Sequence, residues 1–147
     1  MAEQTEGTKT INASAEEIMG VITDFDSYPK WTDFKSAEVL KTDKQGRGTE
    51  VRYEMKAPVI GDVSLTLAYR YKANDGGVSW TSKDIDGGIK SIKGEYVLQE
   101  LDEDETKVTY KTSVELNVKV PGMIKKQGEK QVIKQALDGL KSRVEKG

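Results

Sequence analysis

The side chains able to hold or transform another molecule are aromatic and acidic here, because the sequence contains no histidine and no cysteine. Imidazole bases and metal ligands, thiolate nucleophiles, zinc–thiolate sites and disulfides are thereby excluded. Carboxylates, phenols, lysines, arginines and hydroxyls remain, or catalysis by positioning alone. The six tyrosines and two tryptophans are therefore the residues to place first. Tyr53, Tyr69, Trp80, Tyr96 and Tyr110 fall in runs where apolar and polar residues alternate. They share the apolar side of those runs with Met55, Leu65, Leu67, Thr112 and Val114. A phenol in a dry interior needs a hydrogen-bond partner. Taken singly, each of these residues suits a filled core. Taken together, a set mixing Tyr, Thr and Trp with aliphatics suits a mostly apolar pocket with a few polar tips.

The elements that must carry these residues follow from the same periodicity. From about residue 36 to 120 the period is two. Val51, Tyr53 and Met55 oppose Glu50, Arg52, Glu54 and Lys56, and the last run alternates from Val108 to Val120. Such alternation predicts an antiparallel sheet with one wet and one buried face. Turn residues separate the runs at Gly46-Arg47-Gly48, Pro58 to Asp62, Asn74 to Gly77, Asp86 to Gly88 and Asp102 to Glu105. Ahead of the sheet stands a short strand, Thr8 to Ile11. Ser14 with Glu17 three residues on is a capping box, and it opens a helix ending near Asp24. Pro29 breaks the following aromatic stretch, Phe25 to Trp31, into a turn or short helix that plugs one end of the sheet. Pro121-Gly122 ends the sheet. A long helix, roughly Met123 to Glu145, then carries an apolar stripe of Ile133, Ala136, Leu137, Leu140 and Val144.

The chain of 147 residues has the size of one domain, 1–147. A third of it is charged, yet the net charge is only -2, which argues against a nucleic-acid partner. No stretch approaches the roughly 18 apolar residues of a membrane span, so no stable membrane insertion is expected. The polar, acidic N-terminus lacks the pattern of a signal peptide, and a cytoplasmic monomer is expected. Neither a cofactor nor a metal site is expected. The acidic hairpin tip Asp102 to Glu105 reads as solvated surface.

Three stretches carry a family resemblance: Ile11-Asn12-Ala13-Ser14-Ala15-Glu16-Glu17-Ile18, Asp24-Phe25-Asp26-Ser27-Tyr28-Pro29-Lys30-Trp31, and Pro121-Gly122 with the helix ending Leu137-Asp138-Gly139-Leu140-Lys141-Ser142-Arg143-Val144. In these the chain resembles the START-like (Bet v 1-like, SRPBCC) superfamily, and within it the polyketide cyclase/dehydrase group that includes coenzyme Q-binding proteins. The resemblance implies an α+β helix-grip fold. About seven antiparallel strands would curve around the C-terminal helix, with two short helices between strands 1 and 2. It also implies an apolar cavity between sheet and helix, which the alternating set named above would line. Trp80 would then contact a ligand, while Trp31 supports the fold.

Continuing the helix stripe backwards from Ile133 reaches Lys130, Glu129 and Lys126, with the weak helix former Gly128 between them. Either this half protrudes into solvent, or Lys126 and Glu129 stand at the pocket mouth. The candidate ligand-binding set is completed by Glu129 and Ile133. The leading expectation is a binding protein for a small hydrophobic ligand: aromatic, polyketide-like, quinone-like or lipid-like. The alternative is a polyketide aromatase/cyclase-type enzyme, in which a tyrosine donates to an enolate and Glu129 acts as base. A chaperone-like protein using the same groove for a peptide is a third class.

Overall fold

Ser14 starts the first helix as its spacing predicts: its hydroxyl accepts from the Glu17 N–H at 3.2 Å and lies 3.2 Å from the Glu17 carboxylate. The structure, a computed structural model, describes residues 4–32, 34–57 and 60–146. Along the chain come β1 (Thr5–Ile11), α1 (Ala15–Ile22), a 3-10 turn (Phe25–Ser27) and α2 (Tyr28–Trp31). There follow β2 (Phe34–Thr42), β3 (Gly48–Ala57), β4 (Gly61–Tyr71), β5 (Gly77–Asp86), β6 (Ile89–Asp102), β7 (Glu105–Leu116) and α3 (Gly122–Lys146). The predicted Pro58 to Asp62 turn falls partly outside the described residues.

The strands form one antiparallel sheet in the order β1-β7-β6-β5-β4-β3-β2. Register shifts interrupt β2–β3, β4–β5 and β6–β7, and such irregularities bend a sheet. The curved sheet wraps α3, which closes its inner face along β1 and β7. On the outer face the Arg52 guanidinium donates to the Asp84 carbonyl and the Ser64 hydroxyl, each at 2.8 Å, fastening β3, β4 and the irregular stretch of β5. Gly77 starts β5 at φ 125°, and a β-carbon there would lie 1.9 Å from the Tyr96 carbonyl oxygen, so no other residue fits this turn.

Three boundaries differ from expectation. β1 begins at Thr5, not Thr8, because small and polar residues serve where α3 lies directly on the strand. β7 ends at Leu116, so the alternation through Val120 is not pairing, and Val118 is 45 % exposed instead of inward. The helix α3 gains one residue at each end, Gly122 and Lys146.

The aromatic turn closes one end of the sheet. Phe25 and Tyr28 are buried. The Tyr28 ring centroid lies 5.4 Å from that of Phe25, 5.1 Å from that of Trp31 and 5.9 Å from that of Tyr53, and its hydroxyl donates to the Ile22 carbonyl. Trp31 is only half-buried and packs over Gly139 of α3, its Cε3 being 3.3 Å from where a β-carbon would stand. Tyr28, not Trp31, is therefore the heavier anchor. Tyr28→Ala should cost about 3–5 kcal/mol, a fall in Tm of roughly 6–20 °C. Trp31→Ala should cost clearly less, and calorimetry of the two variants checks the ranking.

Candidate functional site

Antiparallel register sets residues opposite one another on the same face, and here it lays two rows across the inner face of the sheet. One row runs Thr5, Thr112, Gly94, Trp80, Tyr69 over β1, β7, β6, β5 and β4. The neighbouring row runs Gly7, Tyr110, Tyr96, Val78, Tyr71 over the same strands. The helix α3 runs alongside β1 and delivers one residue to each row. The Glu129 carboxylate accepts from the Thr5 hydroxyl at 2.9 Å. Ile133 seats on Gly7, where an added β-carbon would lie 2.6 Å from Ile133 Cγ2. Further along, Lys9 pairs with Asp138 at 2.5 Å and holds the C-terminal half of α3 to the strand.

The aromatic residues of these rows form a continuous ring cluster. Ring centroids are 6.0 Å apart for Tyr69–Trp80, 5.5 Å for Trp80–Tyr96, 5.5 Å for Trp80–Tyr110 and 4.9 Å for Tyr96–Tyr110. Trp80 lies over Gly94: a β-carbon on Gly94 would stand 2.8 Å from the indole Cζ2. The hydroxyls of Tyr53 and Tyr69 meet at 2.5 Å. Among the described residues the hydroxyls of Tyr96 and Tyr110 have no such partner. Burial pushes the pKa of Tyr53, Tyr69, Tyr96 and Tyr110 well above the usual value, and neighbouring phenols add to this at the first three. These phenols stay protonated and can act as hydrogen-bond donors, not as bases.

Beyond the Glu129 row the inner face opens. An open groove of about 710 Å³ lies between the ends of β6 and β7 and the start of α3, lined by Val114, Leu116, Val120, Pro121, Lys90 and Lys125 among others. Its volume is within the range of small-molecule sites. Glu129, 5 % exposed, lies beside this groove through Lys125, its ion-pair partner, which lines it. Its Oε1 is held by Thr5. Its Oε2 is buried without a hydrogen bond, and the Lys125 ammonium 3.6 Å away is an ion-pair partner beyond hydrogen-bonding reach. The Lys126 ammonium donates to Thr5 at 3.2 Å, so both lysines gather around the Glu129–Thr5 pair. A second, smaller groove of about 330 Å³ runs between α3 and β1, beside Gly7, Lys130 and Ile133.

Of the sequence-predicted set, Tyr53, Leu65, Leu67, Tyr69, Trp80, Tyr96, Thr112, Glu129 and Ile133 are buried on the inner face, while Met55, Tyr110 and Val114 are partly buried there. Only Val114 lines the larger groove and only Ile133 the smaller. Tyr53, Met55, Leu65 and Leu67 lie toward the aromatic plug, away from the groove, because β3 and β4 are at the far side of the sheet from α3. The solvent-protruding alternative for the first half of α3 is corrected at Glu129, which the Thr5 bond draws inward, and holds for Lys130, which is exposed. The sequence reading missed Thr5, Lys90, Leu116 and Pro121. The Pro121-Gly122 break was the available signal that the sheet ends, and with it the closed interior. Among the described residues no three acidic side chains gather to hold a metal ion, and no helix is long and apolar enough to cross a membrane.

The chain matches the family model described as polyketide cyclase / dehydrase and lipid transport over residues 2–145. No curated protein matches its sequence. Among solved structures it is similar to a START superfamily protein from Mycobacterium smegmatis, with 23 % identity, 97 % of each chain covered and a TM-score of 0.88. It is also similar to the Zhui aromatase/cyclase from Streptomyces sp. R1128, with 14 % identity, 99 % and 94 % of the chains covered and a TM-score of 0.80. A STAR-related lipid transfer protein from Xanthomonas axonopodis has 21 % identity, 97 % and 85 % coverage and a TM-score of 0.71. At these identities the likeness establishes the shared helix-grip architecture and no more.

Proposed function

The chain belongs to the polyketide cyclase / dehydrase and lipid transport family, and from that premise we propose that it takes up one small hydrophobic molecule between its sheet and α3. The molecule would be aromatic, polyketide-like, quinone-like or lipid-like. The observation that carries this reading is proximity: the 710 Å³ groove is lined by Lys125, the ion-pair partner of Glu129, and by Val114, two residues along β7 from Thr112 in the row that ends in Trp80 and Tyr69. An apolar body would lie along Val114 and Leu116 toward Trp80, with its polar end near Glu129, Thr5 and the two lysines. Names of structural relatives, one a lipid transfer protein and one an aromatase/cyclase, agree with such a ligand. The protein would work as a cytoplasmic monomer without cofactor or nucleic acid.

One observation favours the second reading, an aromatase/cyclase-type enzyme. Phenols kept protonated by burial share the inner face with a buried carboxylate oxygen that has no hydrogen bond. In that chemistry Glu129 would take a proton from an acidic carbon while a tyrosine O–H hydrogen-bonds the enolate oxygen; the enolate carbon would close the ring onto a second ketone carbon, whose C=O π bond opens and whose oxygen takes the proton back from Glu129. A fluorescent hydrophobic probe should bind saturably and be displaced by a bulky apolar competitor, and native mass spectrometry should find one small molecule per chain. Turnover of a model poly-β-ketone, abolished by Glu129→Gln, would establish the enzyme instead. Absence of both saturable binding and turnover would reject both.

A further inference from the structure

The segment joining β7 to α3 and the first turn of α3 together expose large apolar side chains. Met123 is 76 % exposed, Ile124 46 % and Val118 45 %, all within seven residues. The other large exposed apolar residues, Leu40, Leu101 and Val132, stand singly and need no explanation. Around the exposed segment stand lysines. Lys90, Lys119 and Lys125 line the groove beside Val118, against a single acid, Glu115. Among the described residues Lys90 and Lys119 have no acidic partner, whereas Lys125 pairs with Glu129.

We infer that this junction is a docking surface for a lipid bilayer carrying anionic phospholipid. The apolar tips of Val118, Met123 and Ile124 would enter the headgroup–acyl boundary while Lys90 and Lys119 meet the phosphates. Charge selects an anionic surface. The mixture selects a bilayer over a folded partner: Met123, three-quarters exposed, lies within a few residues of Lys119 and Lys125, and an anionic bilayer takes exposed apolar and basic side chains together without a matching pocket. Val118, Lys90 and Lys119 also line the groove, so docking through them would set it against the lipid. The docking itself does not depend on what the groove holds. Its use for loading an apolar molecule out of water rests on the ligand-binding reading above.

The test is co-sedimentation of the full chain with vesicles of phosphatidylcholine, with and without one-third phosphatidylserine. The chain should pellet with the anionic vesicles, less as salt rises, and stay in the supernatant with the neutral ones. Lys90→Glu and Lys119→Glu should each weaken binding by roughly fivefold or more. Met123→Asp with Ile124→Asp should remove binding while leaving Tm and hydrophobic-probe binding in solution unchanged, since both side chains are exposed. Leu101→Asp, near the end of β6 at the opposite end of the β6–β7 pair, should pellet like the parent. Failure of the parent to pellet with anionic vesicles, or pelleting unaffected by the Met123/Ile124 pair, would overturn the docking surface. Lost probe binding in the parent, with vesicle binding intact, would strike the ligand reading alone.

Discussion

Raising the pH above 10 should unfold the protein in one cooperative step. Tyr28, Tyr53, Tyr69 and Tyr96 are all buried, and burial holds the pKa of each well above 10. A phenol is neutral when protonated, so the folded state retains these protons after the unfolded chain has lost them. Their contribution to stability is complete below the unfolded value near 10 and is lost as the pH rises toward the folded values. Each such tyrosine removes about 1.4 kcal/mol per pH unit in that window, so four together remove roughly 5 kcal/mol per unit. A domain stable by about 5–15 kcal/mol is then exhausted within roughly one to three units above pH 10. Phenolate absorbance should appear together with loss of the far-ultraviolet circular dichroism signal. Half-buried Tyr71, pushed up to about 12 by desolvation despite the Arg47 guanidinium over its ring, is set apart from the other four. Gradual phenolate formation near pH 10 with the fold intact would mean that water reaches the ring cluster.

Gly94→Ala should be the most damaging single methyl in the candidate site. The added carbon would lie 2.5 Å from the Lys111 carbonyl oxygen and 2.8 Å and 2.9 Å from the Trp80 indole carbons. The carbonyl belongs to the β6–β7 ladder, so the strand pairing must shift locally and the indole must move as well. Overpacking of this kind costs about 1–3 kcal/mol, a Tm fall of roughly 2–12 °C. If Trp80 forms the far wall of the ligand site, probe affinity should drop about tenfold or more, equivalent to ~1.4 kcal/mol. Trp80→Phe in the same chain should restore part of the lost stability, because a smaller ring clears the new methyl. That non-additivity is the signature of direct contact. Placing Gly94→Ala alone in a Trp31→Phe background leaves the Trp80 emission as the only indole signal. Unchanged emission and unchanged probe binding in Gly94→Ala would remove Trp80 from the site.

Much of this architecture was legible because it rests on local rules. Ser14 and Glu17 announce a helix start through their own hydrogen-bonding reach, and the structure uses them so. The strict alternation of Val51, Tyr53 and Met55, or of Val63 to Tyr71, separates a wet face from a buried one before any pairing is known. Pro29 sits in the first turn of α2 and Pro121 directly precedes α3, so each marks where a helix starts. The lining set was legible only as a face. Alternation says that Tyr53 and Tyr110 point the same way, but register alone decides that Tyr110 neighbours Tyr96 while Tyr53 sits among the plug aromatics.

Composition and periodicity by themselves determined that no imidazole or thiol chemistry is available, that an antiparallel sheet is closed by one long helix, and that aromatic side chains crowd the inner face. Tertiary structure alone decided the fate of the first half of α3. A lone glutamate between lysines reads as solvated surface, because burying a carboxylate is costly without a partner. Thr5, 124 residues away, supplies that partner and turns Glu129 inward. The same long-range geometry ends β7 at Leu116 despite a pattern that runs on to Val120, since alternation records which way side chains could point and not whether a neighbouring strand is there to pair. Past Leu116 the chain leaves the sheet, and Val118 to Pro121 line the groove instead of continuing the strand.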